Sequence, residues 1–147
     1  TGKYYSDEIK KRMSEVKPLD NLRVMDFISD MDYAYAVADL VVSRAGAGSI
    51  SELCVLNKPA ILIPSPNVAE DHQTKNAMAL ANKSAAIFLK DADAPEKLVE
   101  MAINTVNDSD MLRTLAENAG KMAFRNSADV IADEVCKLAE EYKNSNK

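Results

Sequence analysis

Apolar residues along this chain fall into two alternating patterns. Near-continuous apolar runs lie at Leu22 to Phe27, Leu40 to Ser43, Ala60 to Pro64 and Ala85 to Leu89. Runs without a polar face predict strands buried on both sides of a parallel sheet. Between them, apolar positions recur at helical spacing over Asp7 to Val16, Asp30 to Ala38, Ser49 to Asn57 and Asp71 to Asn82. Strand and helix in alternation predict an α/β fold, a parallel sheet with flanking helices.

From Asp93 onward the pattern is helical to the end. Leu98, Met101, Ala102 and Val106 form one apolar stripe; Leu112, Leu115, Ala119 and Met122 form a second; Ala128, Ile131, Val135 and Leu138 form a third. Asn126-Ser127 separates the last two, and the polar stretch Asn144 to Lys147 reads as a frayed tail. Local signals mark helix starts. Ser49-Ile50-Ser51-Glu52 has the spacing of a capping box, and Asp93-Ala94-Pro95-Glu96 pairs a cap with an early proline. The opening Thr1-Gly2-Lys3-Tyr4-Tyr5 has the look of a turn that follows a strand, so further sequence is expected upstream.

Composition narrows the partners. The 147 residues fit one domain with a sizeable core, and 47% hydrophobic with 28% charged residues is ordinary for a soluble globular protein. A net charge of -5 speaks against a nucleic-acid partner. Cys54 and Cys136 lack CxxC spacing and sit within helical patterns, so both are expected as reduced core residues in a reducing, cytosolic setting. No apolar run approaches the roughly 18 residues needed to span a bilayer.

The chemistry concentrates in Ser43-Arg44-Ala45-Gly46-Ala47-Gly48-Ser49-Ile50-Ser51-Glu52. A buried strand ends in small residues that open directly into a helix. Gly46 and Gly48 leave the backbone open to close approach, and the first N–H groups of the helix have no internal partners and lie at its positive end. These features suit a diphosphate, with Arg44 as an adjacent positive charge. The alternative is a plain tight connection whose small residues serve packing. The loop matches neither the dinucleotide GxGxxG nor the P-loop pattern. Glu52 likewise has two readings: a cap reaching back to the Ser49 N–H, or an acceptor for two vicinal ribose hydroxyls.

A second segment, Pro64 to Ala77, carries a polar loop into a helix near Asp71. Gln73 and Asn76 are spaced to project from one helix face, and their amides suit sugar hydroxyls. His72, the one histidine, has no neighbours for a zinc site and reads as a loop or helix-start residue. At a third place, Phe27-Ile28, a strand runs out at the sheet edge; it either covers a flat base or packs in the core. No catalytic residue is assigned within the chain, and no metal.

Taken together, Thr1 to Tyr5, Phe27 to Met31, Ser43 to Ala47, Ser51-Glu52 and Asp71 to Ala77 resemble the MurG-type N-acetylglucosaminyltransferase family of peptidoglycan synthesis, in order and in interval. The resemblance implies a GT-B glycosyltransferase, built of two Rossmann-like domains. Residues 1–143 would form most of the C-terminal, nucleotide-sugar-binding domain, with 144–147 the tail. It implies that Ile28 meets the uracil through its backbone, with Phe27 beside it. Ala47, Gly48 and Ser49 would offer N–H groups to the diphosphate, within a donor site that also takes in Arg44, Gly46, Ile50 and Ser51. Glu52 would hold the ribose diol and Gln73 the GlcNAc hydroxyls, supported by Asn76, with His72 a further candidate.

UDP-GlcNAc is then a substrate, no cofactor is expected, and the mechanism is inverting. The acceptor, a lipid-linked muramoyl-pentapeptide, and any membrane contact would belong to an N-terminal domain outside this sequence. The whole protein would work at the cytoplasmic face of the inner membrane of a bacterium. This chain alone is expected to be inactive. In the family strand order 3-2-1-4-5-6, the run Leu22 to Phe27 would lie apart from Leu40 to Ser43. Two other readings stay open: a related GT-B sugar transferase or epimerase, and a non-enzymatic α/β interaction module.

Overall fold

A computed structural model describes residues 6–15, 17, 20–66 and 71–145. Packing divides the chain into two units, Thr1–Val37 and Ala38–Lys147, each described here by itself.

The second unit holds the sheet. Strands β1 (Val41–Ser43), β2 (Ala60–Leu62) and β3 (Ile87–Phe88) lie in the order β1-β2-β3 and are all parallel. Val41 pairs with Ala60 and Ser43 with Leu62, while Ile61 pairs with Ile87. The ladder runs slightly past the strand ends, with Ile63 N–H donating to Ser43 O at 2.9 Å and Leu89 N–H to Leu62 O at 3.0 Å. Consecutive neighbours in one direction are what the last three strands of a 3-2-1-4-5-6 sheet require, so the fold is the expected Rossmann-like α/β arrangement.

The helices of this unit are α3 (Ala47–Val55), α4 (His72–Ala81), α5 (Ala94–Val106), α6 (Ser109–Lys121) and α7 (Ser127–Ser145), numbered after α1 (Ser6–Ser14) and α2 (Met31–Val37) of the first unit. A 3-10 turn, Asp91–Asp93, leads from β3 into α5. Parallel strands need crossovers, and the helical stretches supply them: α3 joins β1 to β2, and α4 joins β2 to β3. One core cluster gathers Ile61, Ile63 and Leu89 under Leu98, Met101 and Ala102 of α5. Leu53 and Cys54 of α3, Ala77 and Leu80 of α4, and Leu115 and Ala119 of α6 are buried as well.

Several expectations are corrected. Leu22 to Phe27 is no strand: its backbone joins no ladder, and Leu22, Val24, Met25 and Phe27 are exposed. An apolar run becomes a strand only where a neighbour takes up its N–H and C=O groups. The sheet strands are shorter than the apolar runs that predicted them. The capping box at Ser49 is absent, because the N-cap of α3 is Gly46 and Ile50 N–H closes the first turn onto Gly46 O at 3.0 Å. Ser49 therefore lies inside the first turn, and Glu52 one turn deeper.

Asp93 is an N-cap without a side-chain cap, since the 3-10 turn already brings the chain in helically; its carboxylate accepts from Lys97 Nζ at 3.2 Å instead. A true side-chain cap occurs at Asp108, which accepts from the N–H groups of Asp110 and Met111. The third stripe forms its helix, yet α7 buries no residue, and Cys136 on it is exposed rather than in the core. Asn144 and Ser145 belong to α7 rather than to a frayed tail. The segments at Thr1 to Tyr5 and Asn67 to Glu70 fall outside the described residues.

In the first unit, Ser6 Oγ donates to Asp26 Oδ1 at 2.6 Å, and Lys10 Nζ lies 3.3 Å from Asp26 Oδ2. These partners, the Ser6 hydroxyl foremost, hold the Asp26 carboxyl below its ordinary value.

Candidate functional site

Because β1, β2 and β3 are parallel, their carboxyl ends share one edge, where open α/β sheets bind ligands. Three loops leave from that edge: Arg44 to Gly46, the stretch from Pro64 toward Asp71, and Lys90 to Asp93.

The first loop is the shortest path from strand to helix. Ala45 is fully buried, and its carbonyl accepts from Asn76 Nδ2 at 3.2 Å, fastening the loop to α4. Gly46 then takes an extended φ of -70°, and α3 begins. The N–H groups of Ala47, Gly48 and Ser49 have no partners within the helix. The glycines bear on the two readings of this loop. A Cβ placed on Gly46 or Gly48 would meet nothing within 4 Å, and neither residue has a left-handed φ. Packing and backbone conformation therefore leave both glycines unexplained. What they do provide is an open approach to the helix start, the feature an anion needs.

Gln73, like Asn76, lies on α4, and its Oε1 accepts from Ser65 N–H of the second loop at 2.9 Å. Both amides thus hold the crevice loops by one arm. Ile50 is half-buried, while Ser51 and Glu52 are exposed on α3. His72 opens α4 and is exposed; its N-cap, Asp71, has a left-handed φ of 54°. Among the described residues, no group of three His, Cys, Asp or Glu side chains could hold a metal ion. Phe27 and Ile28 belong to the first unit, Phe27 strongly exposed and Ile28 just past half-burial, followed by Asp30, whose carbonyl accepts from Ala34 N–H at the start of α2.

Arg44 reaches across the sheet edge. One guanidinium nitrogen donates to Ile63 O at 3.3 Å, to Pro64 O at 3.2 Å and to the Asp91 carboxylate. Asp91 escapes the sequence reading, which follows the loops after β1 and β2 only. The signal available was positional: Lys90-Asp91 stands directly after the third apolar run. Asp91 also lines a cavity of ≈ 430 Å³ with Pro64, Ser65, Thr74, Phe88 and Lys90. A separate hollow of ≈ 370 Å³, lined by Ala47, Ile50, Cys54, Asn76 and Phe124, lies against α3. Burial pushes the Cys54 thiol up, so it stays protonated and serves as packing rather than as a nucleophile. No helix among the described residues is long and apolar enough to cross a membrane.

Comparison with known proteins agrees with this arrangement. The family described as glycosyltransferase family 28 C-terminal domain matches residues 1–134. The UDP-N-acetylglucosamine--N-acetylmuramyl-(pentapeptide) pyrophosphoryl-undecaprenol N-acetylglucosamine transferase of Phocaeicola vulgatus is 56% identical over 146 residues, covering 99% of this chain and 39% of the relative. The enzyme of the same name from Bacteroides thetaiotaomicron is 58% identical over 140 residues, covering 95% and 38%. A crystal structure of Acinetobacter baumannii MurG superimposes with a TM-score of 0.80 at 27% identity, over 92% of this chain and 41% of that one. The chain thus spans well under half the length of the relatives it matches.

Proposed function

The chain belongs to the glycosyltransferase family 28 C-terminal domains, and on that premise we propose that it is the UDP-GlcNAc-binding part of an inverting N-acetylglucosaminyltransferase. The sugar acceptor in this reading is the lipid-linked muramoyl-pentapeptide that the relatives' name describes. The observation that carries the proposal is the pair of glycines at the α3 start, where a Cβ would meet nothing within 4 Å among the described residues.

The chemistry follows from the crevice. The diphosphate sits on the N–H groups of Ala47, Gly48 and Ser49, at the positive end of α3. As the bond from the anomeric carbon to UDP breaks, negative charge grows on the leaving oxygen beside that helix end. Donors already aimed there stabilise the charge more in the transition state than in the ground state. Glu52 accepts from the ribose diol, and Gln73 and Asn76 direct their remaining amide atoms at the sugar. For the first unit, taken by itself, the resemblance assigns the uracil to Ile28, with Phe27 beside it. UDP-GlcNAc is consumed as substrate, and no cofactor or metal is part of the reading.

Direct displacement also needs an acceptor hydroxyl held in line with the anomeric carbon. Such positioning lowers a barrier by about 7–11 kcal/mol. We assign the acceptor, its base and the attachment to the cytoplasmic face of the membrane to the part of the relatives' length that this chain does not cover.

The test is calorimetric titration of the 147-residue chain with UDP. Binding is expected for the natural sequence, and Gly46→Val should abolish it while the chain still folds, since a Cβ there meets nothing within 4 Å among the described residues and the poorer N-cap lowers the melting temperature only modestly. Equal affinity in a folded Gly46→Val variant would overturn the proposal.

A further inference from the structure

At the sheet edge, the side chain of Arg44 reaches parts of all three strand ends. It leaves the end of β1, donates to the carbonyls of Ile63 and Pro64 just past β2, and pairs with Asp91 on the 3-10 turn after β3. The next residue, Ala45, is fixed by burial and by Asn76, and Gly46 is the cap that sets the direction of α3. We propose that Asp91 is a positioning residue for diphosphate recognition, acting through Arg44: it holds the loop so that the α3 N–H groups face the ligand. This rests on the donor-binding reading above and names a residue in it that the sequence reading leaves out.

Two observations favour positioning over direct service by Arg44 as a phosphate ligand. The guanidinium charge is already paired with Asp91, and the nitrogen that makes the pair is the one that also donates to two main-chain carbonyls. The pair is also too exposed to matter much for folding, with side chains 55% and 37% accessible. Its geometric effect can therefore be separated from its effect on stability.

The two roles predict opposite signs. If Arg44 were a phosphate ligand restrained by Asp91, Asp91→Ala would release it and tighten UDP binding. If Asp91 positions the loop, Asp91→Ala weakens UDP by about 5-fold, the upper end for so exposed a pair. Uridine, which lacks the diphosphate, should be unaffected, as should the melting temperature. Asp91→Glu, which keeps the carboxylate, should restore UDP affinity to within about 2-fold of the natural chain. Asp91→Asn keeps an acceptor without the charge, should fall between, and serves if the alanine variant does not fold.

The experiment is titration of the natural chain and these variants with UDP and with uridine. Hydrogen exchange at the Ile50 amide, which closes the first turn of α3 onto Gly46, is followed in parallel. Faster Ile50 exchange with selective loss of UDP affinity supports positioning. Tighter or unchanged UDP binding, or equal losses for UDP and uridine, overturns it. A natural chain that ignores UDP while Ile50 exchange still responds to Asp91→Ala would instead sink the donor-binding reading and leave the loop clamp standing.

Discussion

β2 and the stretch Leu22 to Phe27 both read as strands from their apolar residues, although the stretch also carries Arg23 and Asp26, and their surroundings are opposite. Ile61 and Leu62 in β2 are 0% exposed and hydrogen-bonded to strands on both sides, whereas Phe27 is 83% exposed and Met25 51%. The difference lies in the ladder. With partners on both sides, the main-chain groups of β2 are satisfied and its side chains can be enclosed; Leu22 to Phe27 joins no strand. Hydrophobicity offers a segment to a core, and pairing decides whether the core accepts it.

The sharpest way to break this comparison is a matched pair of truncations. Ile61→Ala should cost about 2–5 kcal/mol in urea denaturation, as for other large-to-small core changes. Met25→Ala should stay within about 0.5 kcal/mol. Similar losses at both positions would mean that Leu22 to Phe27 is as well packed in solution as β2.

Smaller effects sharpen the picture inside the second unit. Glu52→Gln should lower UDP affinity by about 1.5–3 kcal/mol, the value of a charge-assisted hydrogen bond, with little change in melting temperature. The reverse pattern, with affinity kept and melting temperature lowered, would make Glu52 structural. The glycines allow another contrast. A Cβ on Gly120 would lie 2.6 Å from Asn57 Oδ1, so Gly120→Ala should cost about 1 kcal/mol as that flexible amide moves aside. Gly48→Ala, which meets open space, should be neutral for folding or slightly favourable when measured by thermal melting.

The smallest expected effect is in the first unit. Because its partners hold Asp26 below the ordinary carboxylate value, the stability they confer is complete above that ordinary value and is lost as pH falls through the lowered one. In an NMR titration, Ser6→Ala should raise the apparent Asp26 value, since the Ser6 hydroxyl is its largest influence.

These contrasts also explain what was legible beforehand. Three of four apolar runs became strands in the right order, because a fully buried parallel strand needs little beyond continuous hydrophobicity. Their lengths were not legible, because strands end where neighbours stop pairing: β3 keeps only Ile87–Phe88 of a longer run. The start of α3 was misplaced because Ser49 and Glu52 carry a capping spacing, while the actual cap is a glycine with no side chain to signal it. The stripe on α7 correctly gave a helix, but periodicity does not name what covers it, and Leu138 and Cys136 lie exposed. The small-residue loop was legible as the place where a helix begins, and Asn76 does reach it, through the Ala45 carbonyl. The Arg44–Asp91 pair was not, since its members stand 47 residues apart and meet only through the sheet.

The far end of α3 has a consequence of its own. A left-handed residue, Asn57 with φ 53°, follows the helix end at Leu56, and its side-chain oxygen accepts from Arg125 Nη2 at 3.0 Å. The helix is thus tied at its closed end to Arg125, and the loop before its open end is tied to α4 through Asn76 and the Ala45 carbonyl. A ligand arriving there meets amides that need no ordering. Association should therefore be a single exponential in a stopped-flow trace, within the ordinary encounter range of about 10⁵–10⁷ M⁻¹s⁻¹. Arg125→Ala, by loosening the mooring, should leave that rate nearly unchanged and show itself in faster release.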